Sequence, residues 1–385
     1  MLLMHKDIPV ADVSFENGEI TKVNKKYSRE HYPLGAYTHF SHLLPKSLAN
    51  WQKNRTIPNE RQNASAIIGK IGCSLSEAAL KSLGVSLTDC YWFKTDENLS
   101  WKDVNYHDNG FSQDFGYSML FKQEFSQDYN SPDFTTDGML EKYWLSLDGV
   151  PTLLKFGNLG TLSKGENLLS ANEIIASKIA ALMNIEHVNY SAIQLPPSGE
   201  RIACCPCFIN DSDTEFVSAL QLEKQYGIYS GASLYNFFSD RLNMQRFVDN
   251  MIAFDYVIGN TDRHEKNFGV IINPSSFAII SPAPLFDNGS CLGWNGEYSL
   301  DKTPVKPFNE SAQKQIEMIK IRPDNIPSVS EAHSIIEDVY SAFKINEQHI
   351  ELAKKEIADN ICGFEKALAH SFVSFSDLEK EEGER

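Results

Sequence analysis

The feature that most constrains this chain is a polar loop set between an apolar helix and two β-rich runs. Met244, Phe247, Val248, Met251 and Ile252 recur at i, i+3, i+4, i+7 and i+8, which predicts a helix with a buried face ending near Gly259. Gly259-Asn260-Thr261-Asp262-Arg263-His264-Glu265-Lys266-Asn267 follows directly. Phe268–Ile272 and Phe277–Ile280 then read as strands joined by Asn-Pro-Ser-Ser, and they deliver the chain to Asp287-Asn288-Gly289. An isolated Asp–Asn pair would mean little, because both residues favour turns. Framed by the helix before it and the strand–turn–strand–Asp after it, the pair is a strong signal.

That pattern suits phosphoryl transfer from ATP. The reaction needs a carboxylate to orient the acceptor hydroxyl, hard oxygen ligands for Mg2+, and a lysine on the phosphates. In the protein-kinase arrangement the catalytic Asp is followed five residues later by a metal-binding Asn, the spacing of Asp262 and Asn267. A further metal-binding Asp after two short strands is the position of Asp287.

Upstream, Thr135-Thr136-Asp137-Gly138 reads as a turn, followed by Glu141-Lys142. Tyr143–Leu147 and Thr152–Phe156 read as a hairpin around Asp148-Gly149, with Lys155 at the end of the second strand. Residues 171–183 predict an amphipathic helix bearing Glu173, and strands are expected at 187–194 and 202–209. A full G-x-G-x-x-G is absent, and Gly138 alone marks the turn.

In these residues the sequence resembles the HipA-like kinases. The matching runs are Asn260–Gly269 and Ala283-Pro284-Leu285-Phe286-Asp287-Asn288-Gly289, within a resemblance that covers about 130–310. It implies an α+β, two-lobed protein-kinase-like fold, with a β-rich ATP lobe and a mainly helical C-terminal lobe. It also implies a kinase acting on protein Ser or Thr hydroxyls with ATP and Mg2+ (Mn2+ as the alternative cation). By that match Asp262 is the catalytic base, and Asn267 and Asp287 bind the metal. Lys155 looks like the strand lysine on the ATP phosphates and Glu173 like its ion-pair partner. Gly138, Glu141 and Lys142 resemble the family's phosphate loop. His264 and Lys266 occupy catalytic-loop positions. In the family a loop serine can be autophosphorylated, and Ser131, Thr135 and Thr136 are the candidates here. The first 120 residues do not match the amino-terminal domain of the HipA toxin, which contacts an antitoxin, so an antitoxin-like protein partner stays open.

Each assignment has a plainer alternative. Lys155 could be a solvated edge charge, and Glu173 a first-turn acid favoured by the helix dipole. His264 could be a buried structural histidine, and the aromatic run Ser86–Phe93 is first of all core.

At 385 residues the chain has room for two lobes plus an accessory region, divided as 1–125, 126–210 and 211–385. Residues 1–35 predict strands with a hairpin turn at Asn17-Gly18, and 40–86 a helical pattern stopped by Gly84. Residues 94–133 read as a long loop region, 330–370 as two helices, and Ser376–Arg385 as a frayed acidic tail. With 35 basic and 51 acidic residues the formal net charge is −16. That field opposes non-specific nucleic-acid or anionic-membrane binding, so neither is expected as a partner. Seven cysteines at irregular spacing lack a zinc pattern and read as reduced thiols, and no apolar run reaches membrane-spanning length. The chain reads as cytoplasmic.

Two other functions compete. A metal-dependent phosphoesterase is suggested by Asp262-x-His264, but dinuclear sites need further ligand motifs and the other histidines are scattered. A catalytically weak, kinase-like binding module, in a toxin–antitoxin or scaffold role, is suggested by the sparse phosphate loop.

Overall fold

The computed structural model describes residues 1–36, 44–158, 167–196, 198–228, 231–295 and 306–383, with side chains to 368. The chain forms two compact units, each discontinuous in sequence. The first is Met1–Phe156, Cys204–Ile228 and Gly269–Ala283, and the second is Gly157–Ala203, Tyr229–Phe268 and Pro284–Arg385.

The first unit opens with β1 (Leu2–His5), β2 (Ile8–Glu16) and β3 (Glu19–Lys26), joined later by β4 (Tyr91–Lys94) in the antiparallel order β3-β2-β1-β4. Asn17 and Gly18 have φ of 52° and 82°, the left-handed pair that a tight hairpin turn requires. Leu3, Val10, Val13 and Phe93 on the sheet pack with Leu48 and Trp51 of α1 (Pro45–Lys53). The helical pattern after it is two helices, α2 (Ala64–Ile71) and α3 (Leu75–Lys81). Gly72 stops the first in the left-handed region, and Ser74 opens the second with a capping box to Glu77.

Residues 94–133, expected as loop, contain α4 (Trp101–Val104), α5 (Tyr106–Asn109) and α6 (Asp114–Leu120). Their polar residues cap short helices, as Asn105 does for the Asp108 amide, while Trp101, Tyr106 and Phe115 sink into the core. The hairpin of β5 (Lys142–Leu147) and β6 (Val150–Lys155) turns at Asp148-Gly149 as expected. Tyr143 of β5 joins Phe115, Tyr129, Phe134, Ile67 and Ile71 in one cluster. This shared core is why the hairpin falls in one unit with residues 1–141, although the sequence reading placed a boundary near 125.

The chain then enters the second unit as α7 (Leu168–Leu182) and β7 (Ser191–Leu195). Expected as amphipathic, α7 is buried at every position from Leu168 to Ser177, because Asn172 and Glu173 are satisfied internally. β8 (Glu200–Pro206) begins in the second unit and ends in the first. It leads to β9 (Glu215–Ser218) and α8 (Ala219–Tyr226).

Back in the second unit come α9 (Gly231–Asn236) and α10 (Gln245–Ile258). The short strands β10 (Gly269–Ile272) and β11 (Ile279–Pro282) return to the first unit, where the order is β11-β10-β9. The second unit closes with α11 (Ala312–Glu317), α12 (Val329–Phe343) and α13 (Glu347–Gly383). α13 runs to Gly383, within the segment that the sequence marks as a frayed tail. Among the described residues no helix is long and apolar enough to cross a membrane, and no disulfide forms.

Candidate functional site

All of α10 from Met251 to Ile258 is buried, including one acid, Asp255. Gly259 ends the helix with φ of 66°. The backbone then folds back: the Asn260 amide donates to Asp255 O at 2.8 Å, and Asn260 Nδ2 donates to Asp255 Oδ1 at 2.9 Å. The Asp262 amide donates to Asn260 Oδ1 at 3.1 Å. Asn260 thus links the helix end to the backbone of Asp262.

Arg263 is fully buried. Its guanidinium spans Asp255 at 2.8 and 2.9 Å, the Asn267 carbonyl at 3.2 Å and the Phe286 carbonyl at 2.8 Å, and it also bonds Asn288 Oδ1. One side chain therefore ties the helix, the Asp262 loop and the Asp287 loop together. Burial acts to lower its pKa, but the Asp255 charge and hydrogen bonds prevail and raise it.

Within the loop, the Asn267 amide donates to His264 O at 2.8 Å, and Asn267 Nδ2 donates to Asp262 O at 3.4 Å. The Lys266 amide reaches His264 Nδ1 at 3.3 Å. His264 therefore serves loop shape.

Asp287 takes φ of 59°, and its amide donates to Tyr190 Oη at 3.4 Å. The next amide, of Asn288, donates to Glu173 Oε2 at 2.8 Å. Asn172 donates to the carbonyls of Gly289 at 3.0 Å and Cys291 at 2.8 Å, and it accepts from Tyr340 Oη at 2.6 Å. Gly289 lets the loop approach α7, where an added Cβ would lie 2.9 Å from Leu169 O. The Asn172-Glu173 pair of α7 thus holds residues 288–291.

Burial pushes the Asp262 carboxyl above its ordinary pKa. His264, Lys306 and Arg263 oppose the shift, and the negative charge of Asp287 adds to it. Asp262 and Asp287 thus lie within reach of each other's charge, and Asn267 is bonded back to the Asp262 backbone. Carboxylate and amide oxygens are hard ligands of the kind that suit a divalent cation such as Mg2+. Among the described residues no cluster of three His, Cys, Asp or Glu side chains could hold a metal unaided.

The remaining expected site residues belong to the first unit. Lys155 is buried at the end of β6, opposite Lys142 on β5. Lys142 Nζ donates to Asp137 O at 3.2 Å and lies over Gly138, whose φ is 111°. Glu141 Oε1 accepts from Tyr143 Oη at 2.7 Å. Arg61 fixes this turn by donating to Gly138 O at 2.8 Å and to Thr136 O. Burial lowers the Arg61 pKa to about 10, against the pull of Asp133 and Asp137. Ser131 and Thr135 are buried and bonded to Asp133 and to Val85 O, while Thr136 is half-buried.

The sequence reading missed Arg263, Asp255, Asn172 and Arg61. Asp255 carried a usable signal, since an acid inside an otherwise apolar helix demands a buried partner. Arg61 carried none, because its partners are backbone carbonyls distant in sequence.

In comparisons with known proteins, no family model and no curated relative matches the sequence. Among the solved structures similar to it are the following two. The Helicobacter pylori proinflammatory kinase CtkA aligns at 16% identity and TM-score 0.47, covering 62% of this chain and 96% of its own. The Shewanella oneidensis MR-1 toxin–antitoxin complex of HipA, HipB and operator DNA aligns at 14% identity and TM-score 0.52, covering 94% of this chain and 96% of the matched chain. By the second of these alignments the chain has a HipA-like α+β fold.

Proposed function

We propose that this protein is an ATP-dependent protein serine/threonine kinase of HipA-like type. The observation that carries the reading is the Arg263 node, which holds the Asp262–Asn267 loop and the Asp287 loop in one arrangement. Bound Mg·ATP would supply the transferable phosphoryl group and the charge neutralisation that the transfer needs. Asp262 would accept the hydrogen bond of the acceptor hydroxyl and orient it. Its raised proton affinity suits a base, and Asn260 and Asn267 fix its backbone. Asn267 and Asp287 would hold the cation with two protein oxygens, leaving further positions to water and phosphate. Lys155 is assigned to the phosphates, and the turn at Gly138 with Glu141 and Lys142 to their cover. His264 and Lys266 shape the loop.

The acceptor is assigned as a protein Ser or Thr hydroxyl, and the protein's own Thr136 is the first candidate because Ser131 and Thr135 are buried. An antitoxin-like protein is the corresponding proposal for a partner. The test is a phosphosite map of the purified protein after incubation with Mg·ATP and a generic acceptor protein, beside Asp262→Asn. Phosphate on Ser or Thr in the wild type but not in the variant supports the assignment, and equal transfer by both overturns it.

A second reading is a nucleotide-binding module without transfer. It is favoured by the filled turn at 135–138, whose carbonyls are taken up by Arg61 and Lys142. Binding of Mg·ATP with no phosphate on any protein would establish it.

A further inference from the structure

Glu356, on α13, is 4% exposed, and its Oε2 has no hydrogen-bond partner among the described residues. Buried carboxyls normally find donors, so an unsatisfied one calls for an explanation. Two glycines lie against its oxygens. Gly259, where α10 gives way to the Asp262 loop, lies against Oε1, and a Cβ there would overlap that oxygen. Gly293, beyond Asp287, lies against Oε2, with an added Cβ only 2.7 Å away. Both glycines have positive φ, 66° and 62°. The carboxyl is therefore wedged between the start of one loop and the end of the other. The same two segments are stitched by the Leu292 amide to Ile258 O at 3.0 Å and the Thr261 amide to Ser290 O at 3.3 Å.

The titratable groups that face Glu356 are Cys291, on the segment after Asp287, and Tyr340, on α12. Burial raises the pKa of both, and the Glu356 charge adds to each shift. On its own helix Asn360 lies beside Gly259 and donates to Val257 O at 3.4 Å. Burial alone pushes the Glu356 carboxyl up, to about 8, so it is mostly protonated at neutral pH.

We propose that Glu356 is a positioning residue, an uncharged acid that seats the start of the Asp262 loop between Gly259 and Gly293 and unseats it on ionising. Among the described residues no cation faces a carboxylate in this place, so ionisation would draw in water, which opens the stitch between residues 258 and 292. The consequence for catalysis rests on the kinase reading, whereas the seating itself is a property of this unit.

The test is amide exchange in the full-length protein, read at Asn260 and Leu292, whose amides donate to Asp255 O and Ile258 O. After correction for intrinsic exchange, protection at both falls about tenfold between pH 7 and 9 in the wild type, following the ionised fraction. In Glu356→Gln it stays level. An equal fall in wild type and variant overturns the proposal. If the variant does not fold, a 13C-carboxyl titration of the wild type decides. A Glu356 midpoint near 8, shared by the two amides, supports the seat, and a midpoint in the ordinary carboxylate range refutes it. Phosphotransfer kcat is expected to fall across the same range in the wild type alone, with KM for ATP less affected. Absence of phosphotransfer at every pH would count against the kinase reading only, because the exchange result stands without it.

Discussion

Arg263 grips Asp255 with two parallel hydrogen bonds, Nε to Oδ2 at 2.9 Å and Nη2 to Oδ1 at 2.8 Å, with its guanidinium wholly out of solvent. The planar fork matches a carboxylate in a way that a lysine ammonium cannot. It leaves Nη1 for the carbonyls of Asn267 and Phe286. Arg263→Lys should therefore retain the charge yet lose the arrangement. A loss of about 3 kcal/mol is expected in chemical denaturation, as for a broken buried ion pair. Unchanged stability would show that the node is dispensable.

Asp262→Asn separates chemistry from architecture. The Asp262 amide and carbonyl, not its carboxyl, make the loop hydrogen bonds to Asn260 and Asn267. Phosphotransfer should fall by about 10²–10⁴-fold, the range for loss of a general base, while the melting temperature stays within a few degrees. Radiolabel transfer and thermal unfolding together check this.

Asn172→Ala removes the clamp on the carbonyls of Gly289 and Cys291 and leaves Tyr340 Oη without its acceptor. The expected cost is about 2 kcal/mol. Nucleotide-dependent protection of residues 287–291 from exchange should weaken as well. Asn172→Asp offers no such donor and should fare no better.

Asp133 accepts from Ser131 Oγ at 2.7 Å and from the Trp144 amide at 2.9 Å, yet burial raises its pKa from 3.8 to about 6. The folded protein therefore holds a proton there that the unfolded chain releases. This contribution to stability is complete below about 4 and is lost as pH rises through 6. Asp133→Asn, which keeps an acceptor for Trp144, should flatten that slope by about 3 kcal/mol. Urea denaturation from pH 4 to 7 measures it.

The opposite slope is expected from His31. His5 Nε2 meets Glu215 Oε1 at 2.8 Å, and His5 Nδ1 meets His31 Nδ1 at 2.8 Å. Protonating both rings would set two N–H groups against each other. Burial, and then the His5 charge, lower the His31 pKa, so its contribution is present above about 6.5 and is lost as pH falls. His31→Gln should remove that loss on acidification, as read by thermal unfolding from pH 5 to 7.5.

What the sequence made legible was local. Asp262 and Asn267 announced themselves because helix, loop and strands occur in register around them, and Asn17-Gly18 and Asp148-Gly149 turn as such dipeptides do. What it hid was non-local. Arg61 reaches the Thr136–Gly138 turn from before α2, and Tyr143 packs with Phe115 and Ile71, so neither pairing leaves a periodic trace. The polar stretch 94–133 misled because capping residues and loop residues are the same amino acids, and buried Trp101, Tyr106 and Phe115 distinguish them. In α7, Asn172 and Glu173 imitated a solvent face while serving as internal anchors.

The backbone passes between the units at 156–157, 203–204, 228–229, 268–269 and 283–284. A nascent chain leaving the ribosome amino-terminus first cannot complete the first unit until Ala283 has emerged. By then most of the second unit's site segment is already exposed. Neither half can be expressed as a simple gene fragment, and a chain cut at residue 125 or 210 parts β9, β10 and β11 from the amino-terminal portion of the first unit. The two units are matured together, and a premature stop before 283 should yield insoluble product in place of a free-standing accessory domain.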